Sequence, residues 1–360
     1  MNSFAILDKS APAGMSFCFL EPAILHGERM SSQKHWRKLL IEERRHVDPA
    51  VVDVLREIVG PEHLREHEPL SGLTTWRTGG PADVVVRVPD LDALSKVQQV
   101  IASNRIPSVV LGRGSNVLVQ DGGFRGVVIT LGPKFSGIDV EPLGDSDRIH
   151  VGAATPLGQL IKAARQHGWR SLAPLGGTPG TVGGALRMNA GDRHTWIGQF
   201  VESVDIVKRD GKLTTVPVER IGYGYRHSQF PPGSVIVSGI LQVERDDPSL
   251  ARQAIDEHIA RRKATQPLNL PSCGSVFRNP ENGSAGELIE RAGLKGVRLH
   301  AAQISEQHAN FIVNLGGATA RDILALIRLA RQKVYEETGI RLEEEVRIIG
   351  DPAEEHDDED

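Results

Sequence analysis

The chain has 360 residues, 39% hydrophobic and 24% charged, which fits a globular protein of two or three domains and excludes wholesale disorder. The net charge of −4 hides an asymmetry: the last ten residues hold seven acids and no Lys or Arg, so the rest of the chain carries +3. That near-neutral body offers no footprint for nucleic acid, and the acidic tail, 351–360, reads as a solvated, disordered end.

Cys18 and Cys273 are the only cysteines. Two cannot build a zinc site, and nothing indicates a disulfide framework, so a reducing, cytoplasmic compartment and no metal are expected. No stretch approaches the roughly 20 apolar residues of a membrane span. Residues 11–25 are mildly apolar, but Glu21 interrupts them and no charged start precedes them, which argues against a signal peptide.

Residues 1–47 show weak periodicity and read as a poorly ordered extension. A helix is expected over Pro49–Val59. Residues 83–88 (DVVVRV) are β-rich and flanked by Pro81 and Pro89, hence a strand. Leu94, Val97, Val100 and Ile101 have helical spacing over 91–103. Short strands follow at 109–111, 117–119 and 127–131, with a turn at 112–116. The first α/β unit is placed at 48–133.

The second unit is placed at 134–247. Thr155 is expected to cap a helix with Pro156 at its first position, and Gly168 to end it. Strands are expected at 201–208, 213–217 and 235–244, with a turn at Asp210-Gly211. A third unit, 248–350, begins after Asp246 with a basic-ended helix over 250–265. Ser284 with Glu287 forms a capping box for 285–292, and Thr319 caps a long helix over 320–338 ended by Gly339. A closing strand is expected at 345–349.

Two glycine loops carry the first chemical signal. Gly112-Arg113-Gly114-Ser115-Asn116 lacks the third glycine of a dinucleotide fingerprint and the Gly-Lys-Ser/Thr of a phosphate loop. It is either a tight turn or a nest of backbone N–H groups facing an anion. The second loop, 176–184 (GGTPGTVGG), has five glycines in nine residues, and Pro179 and Val182 argue that it is ordered. Its glycines permit close backbone approach, and its threonines can donate to phosphate. Two such loops suggest one diphosphate held from both sides. Arg226, behind Tyr223 and Tyr225, reads as a surface cation or as a carboxylate clamp. Ser275, beside Gly274, lacks the G-x-S-x-G elbow, so a hydrolase nucleophile is a weak reading and a strand-end turn the ordinary one. His308 stands alone, with no metal-ligand spacing around it.

Taken together, TWRTGGPAD at 75–83, GRGSNVLV at 112–119, GGTPGTVGGALRMNAG at 176–191, YGYRHSQF at 223–230, CGSVFRNP at 273–280, AGELIERAGLKG at 285–296 and LEEEVRIIG at 342–350 resemble the UDP-N-acetylenolpyruvoylglucosamine reductase family, in the family's order. With no tyrosine-bearing insert between Pro280 and Ala285, the chain is similar to the shorter type. The resemblance implies an α/β (α+β) fold: a two-subdomain FAD-binding unit of the vanillyl-alcohol-oxidase type, plus a C-terminal α/β domain for a UDP-sugar. It implies FAD as cofactor, held by Gly112, Arg113, Gly114, Ser115, Asn116, Gly177, Thr178, Gly180, Thr181 and Gly184. NADPH is the implied hydride donor, and the enolpyruvyl ether of a UDP-sugar the implied substrate, with no nucleic-acid or membrane partner and the oligomeric state open.

The resemblance places Ser275 at the family's proton donor, Arg226 at its catalytic arginine and Glu345 at its catalytic glutamate. Tyr225, Asn279, Lys295 and His308 fall on the substrate side. Glu344 stands where proline is usual, so Glu343, Glu344 and Glu345 are adjacent acids; the following Val346-Arg347 selects Glu345. Another flavin enzyme of the same fold and a non-catalytic nucleotide-binding relative are the alternatives.

Overall fold

The computed structural model describes residues 46–281 and 283–353. Residues 1–45 of the extension read over 1–47, and the end of the acidic tail, lie outside the described residues. Helix α1 (Pro49–Val59) takes its cap from Asp48, whose carboxylate accepts from the Ala50 amide. The first sheet contains β1 (Leu64–Pro69), β2 (Pro81–Val88), β3 (Ser108–Val110) and β5 (Phe124–Leu131). Its order is β1-β2-β5-β3, with β2, β5 and β3 parallel and β1 antiparallel at the edge. Strand β2 is apolar at nearly every position because both of its faces are covered. Val84, Val86 and Val88 pack on α1 and α2 (Leu91–Ser103), while Ala82 and Val85 face Leu70, Val119 and Val128.

The second sheet is wholly antiparallel. It consists of β6 (Ile138–Leu143), β7 (Ser146–Gly152), β8 (Val201–Val207), β9 (Leu213–Pro217) and β10 (Val235–Glu244), in the order β6-β7-β10-β8-β9. The hairpin β6–β7, turning at Gly144-Asp145, goes beyond the elements expected from sequence. Helices α3 (Leu157–His167), α4 (Val182–Met188) and α5 (Pro248–Thr265) cover one face, through Leu160, Ile161, Leu186 and Ile255. The boundary expected at 248 therefore precedes a helix whose buried side chains join the second core. Thr155 does not cap α3, as was expected. Its hydroxyl is fully buried and bonds the backbone of Gly137, while the first helical amide, on Leu157, donates to Gly180 O. A tertiary partner has displaced the local one.

In the C-terminal part, β11 (Arg298–Leu299), β12 (Ala302–Ile304) and β13 (Ile312–Asn314) form a small antiparallel sheet against α6 (Ala285–Arg291) and α7 (Ala320–Thr338). Ser284 caps α6, and Thr319 with Asp322 forms a full capping box on α7, which ends at left-handed Gly339. The last strand, β14 (Arg347–Ile349), leaves this core and pairs in parallel with β4 (Val117–Val119). Four further hydrogen bonds join the same regions. Trp76, fully buried among C-terminal core residues, donates to Ile312 O at 2.7 Å and accepts from Asn314 Nδ2 at 2.9 Å. The Asp121 carboxylate accepts the amides of Ala320 and Arg321, both at 2.8 Å. Among the described residues, no helix is long and apolar enough to cross a membrane.

Candidate active site

The two glycine loops meet. Ser115 Oγ donates to Pro179 O at 3.1 Å, and a Cβ on Gly112 would lie 2.6 Å from Thr181 Oγ1. Gly114 sits at φ 58°, with Leu73 O only 2.2 Å from where a side chain would begin, so any other residue there clashes with backbone. Thr181 caps α4 by accepting from the Gly184 amide, which orients 180–184 as a helix entry. Gly177 is exposed, and Thr178 Oγ1 accepts from Arg262 on the last turn of α5. Arg113 and Gly184 are exposed beside them, and Asn116 binds Glu345 O through Nδ2 at 3.1 Å. The loop residues expected to hold one cofactor therefore share one locality, and they hold close backbone approach open, as a diphosphate cradle needs.

Arg226 occupies the turn between Gly224 and His227, which is closed by paired backbone bonds of 3.0 and 3.1 Å. Its φ of 52° is left-handed, a strained setting for a residue with a Cβ. Asn189, buried and itself left-handed, holds the turn from below by donating to Gly224 O at 2.8 Å. The Arg226 guanidinium donates from Nη2 to Gly191 O, and its Nε lies 2.9 Å from Glu345 Oε1, off the N–H axis, so the contact is an ion pair. Glu344 points elsewhere, to Arg331 at 2.8 Å. The geometry thus separates the adjacent acids: Glu345 is the one that faces Arg226.

Ser275 reaches this place through backbone pairing. Phe277 bridges Glu344, the Arg278 amide donates to Glu343 O, and the Glu345 amide donates to Val276 O at 2.8 Å. Asn310 fixes the other side, accepting from Phe277 N and donating to Phe277 O. Ser275, half-buried, is next to the residue whose carbonyl Glu345 binds.

Burial pushes the Glu345 carboxyl above its ordinary value, against the opposing pull of Arg226 and Arg278. Burial also pushes the Arg262 guanidinium down to about 10, with Arg226 adding like-charge repulsion. Arg226 and Arg278 thus face a single carboxylate and Arg262 flanks Arg226, an excess of positive charge suited to anionic ligands. The roles of Arg262 and Arg278 are not legible in the sequence, where a basic helix end reads as a solvated one. The buried phenol of Tyr223, shifted upward by desolvation, and Arg187, over the Phe230 ring at 5.0 Å, flank the same loop.

The substrate-side residues separate. Tyr225 is exposed, 5.5 Å beneath the Arg226 guanidinium. Asn279 Oδ1 accepts from the first amide of α6, so it braces that helix. Lys295 is exposed and paired with Glu290 at 2.7 Å. His308 accepts from the Asn310 amide through Nδ1, and burial lowers its pKa.

Residues 266–349 match the family UDP-N-acetylenolpyruvoylglucosamine reductase, C-terminal domain, and residues 82–217 match the family FAD binding domain. A reductase of that name from Anaeromyxobacter dehalogenans is 44% identical over 84% of this chain and 90% of its own length. One from Myxococcus xanthus is 40% identical over 82% and 95%. The crystal structure of the reductase from Thermus caldophilus superposes with a TM-score of 0.69 at 37% identity, covering 80% of this chain and 100% of that one. The motifs, the paired glycine loops and the shared length agree: the chain belongs to the UDP-N-acetylenolpyruvoylglucosamine reductase family.

Proposed function

We propose that this chain reduces UDP-N-acetyl-3-O-(1-carboxyvinyl)-glucosamine to UDP-N-acetylmuramate for peptidoglycan precursor synthesis, with FAD as cofactor and NADPH as hydride donor. The observation that carries the reading is the half-buried Arg226–Glu345 pair, joined by backbone pairing to the Ser275 segment and set beside the glycine loops. FAD, when bound, supplies the relay that accepts a hydride from NADPH and delivers it to the terminal alkene carbon, chemistry that no side chain performs. Residues 112–116 and 176–184 would hold its diphosphate through backbone N–H groups and hydroxyls.

Arg226 presents a permanent planar cation to the substrate carboxylate, where negative charge accumulates as the electron-rich alkene is attacked. A unit charge at 4 Å is worth about 4 kcal/mol at an effective dielectric of 20, against about 1 in water, so the burial of the pair is part of the mechanism. Ser275 gives its hydroxyl proton to the carbon next to the carboxylate. A serine is a weak acid, and it works here because the acceptor is strongly basic and held in place. Glu345 pairs with Arg226 and so fixes the guanidinium that faces the substrate carboxylate. A cytoplasmic setting belongs to the proposal.

Stopped-flow half-reactions test it. Ser275→Ala should bind FAD and be reduced by NADPH as the wild type is, while reoxidation by the enolpyruvyl sugar slows by about 10²–10⁴. Reoxidation at the wild-type rate removes Ser275 from the mechanism.

A further inference from the structure

We infer that Arg278 is a positioning residue for this reduction, holding the Arg226 turn against the Glu345 carboxylate. Only the kinetic consequence rests on the proposed function; the geometry does not. Arg278 lies three residues beyond Ser275, and its amide donates to Glu343 O at 2.9 Å, so its backbone is paired with the segment that carries Glu345. Its side chain then crosses to a different part of the fold, where Nη2 donates to Arg226 O at 3.4 Å. One residue therefore ties together the three segments bearing Ser275, Arg226 and Glu345.

The tie matters because Arg226 is strained. A left-handed φ of 52° at a residue with a Cβ is unfavourable and persists only where neighbours over-determine it. Asn189 fixes Gly224 O on one side of the turn, and Arg278 fixes Arg226 O on the other. In the rest of the Arg278 guanidinium, Nε is buried without a hydrogen-bond partner among the described residues. It adds a second positive charge opposite Glu345. The groups facing that carboxyl are Arg226, Arg278 and the Cys273 thiol, with Arg262 flanking Arg226. Loss of Arg278 leaves one facing cation, so Glu345 should hold its proton to higher pH.

The test uses the full chain with FAD bound and glutamate labelled with ¹³C at Cδ. The Glu345 carboxyl signal is assigned by its loss in Glu345→Gln and titrated in wild type, Arg278→Met and Arg278→Lys. Arg278→Met should raise the midpoint by about one unit, and Arg278→Lys, which keeps the charge but loses the planar fork, should leave it in place. Reoxidation by the enolpyruvyl sugar should slow by about 10²-fold in Arg278→Met, the cost of a misplaced group, and by less in Arg278→Lys. Flavin content and reduction by NADPH should be unchanged in both. Should Arg278→Met fail to accumulate folded, Arg278→Gln carries the same expectations. An unmoved Glu345 midpoint overturns the inference, as does reduction by NADPH falling in step with reoxidation, which marks general damage. Failure of the wild type to be reoxidised by the enolpyruvyl sugar would sink the proposed function, while the carboxyl titration still decides the part played by Arg278.

Discussion

Arg226 combines a strained backbone with a neighbouring carboxylate, and guanidiniums from two other segments, Arg262 and Arg278, lie beside it. A lysine at this position keeps the charge but presents a point in place of a fork. Arg226→Lys is accordingly expected to keep its FAD and its reduction by NADPH, while reoxidation by the enolpyruvyl sugar falls by at least about tenfold. Wild-type turnover in that variant would exclude the arginine from the chemistry. Glu345 carries a pH signature whose sign follows from its burial. Its folded-state pKa lies above the ordinary value of 4.5, so the folded protein binds the extra proton. Stability from this group is therefore present at acid pH and is lost as pH rises from 4.5 through the raised value. The melting temperature of the wild type relative to Glu345→Gln should decline across that window, and a rising difference would contradict the assigned shift.

Among the elements, α7 shows how a sequence signal and a tertiary contact combine. The Thr319–Asp322 capping box is local and was expected at the hydroxyl end. The Asp121 carboxylate reaches the Ala320 and Arg321 amides from about 200 residues away in sequence, and no local pattern announces it. Burial raises the Asp322 pKa, but bonds from His300 and the Thr319 amide and hydroxyl outweigh it, so the net shift is downward. A lowered carboxyl contributes stability above its ordinary value of 3.8 and loses it as pH falls through the folded value. Asp322→Ala should cost about 1 kcal/mol at neutral pH, and the difference from wild type should shrink in acid. Denaturant titrations at the two pH values check this; a pH-independent cost would mean that the side chain acts through packing alone.

For the molecule as a whole, the decisive feature is that the C-terminal part is stitched onto the flavin-binding part rather than hung from it. Strand β14 completes a parallel pair with β4, and Trp76 is inserted into the C-terminal core. Both ties run through the segments that deliver the site: β14 follows Glu345 directly, and β4 follows the first glycine loop. Trp76→Ala should destabilise the protein by about 3–5 kcal/mol and should release amide protection in α7 and β13 before it does so in β2 and β5. Hydrogen exchange gives the readout, and uniform loss across all four elements would deny the tie its local character.

Much of this was legible without the fold. The boundaries of α1, α2, α7, β9 and β10 follow from periodicity, caps and turn residues, because a helix face or a covered strand writes its burial into its own spacing. The family motifs likewise single out Ser275, Arg226 and Glu345. Elsewhere tertiary structure decided. It moved Thr155 from capping to a buried bond with Gly137, placed α5 on the second sheet, and assigned Asn279 to the start of α6. It also separated Glu345 from Glu344, and it brought Arg278 to the Glu345 carboxylate and Arg262 beside Arg226. The reason is physical: spacing encodes contacts made within a helix or a strand, whereas a guanidinium's partner depends on where distant segments cross, and burial sets its charge balance only once they have.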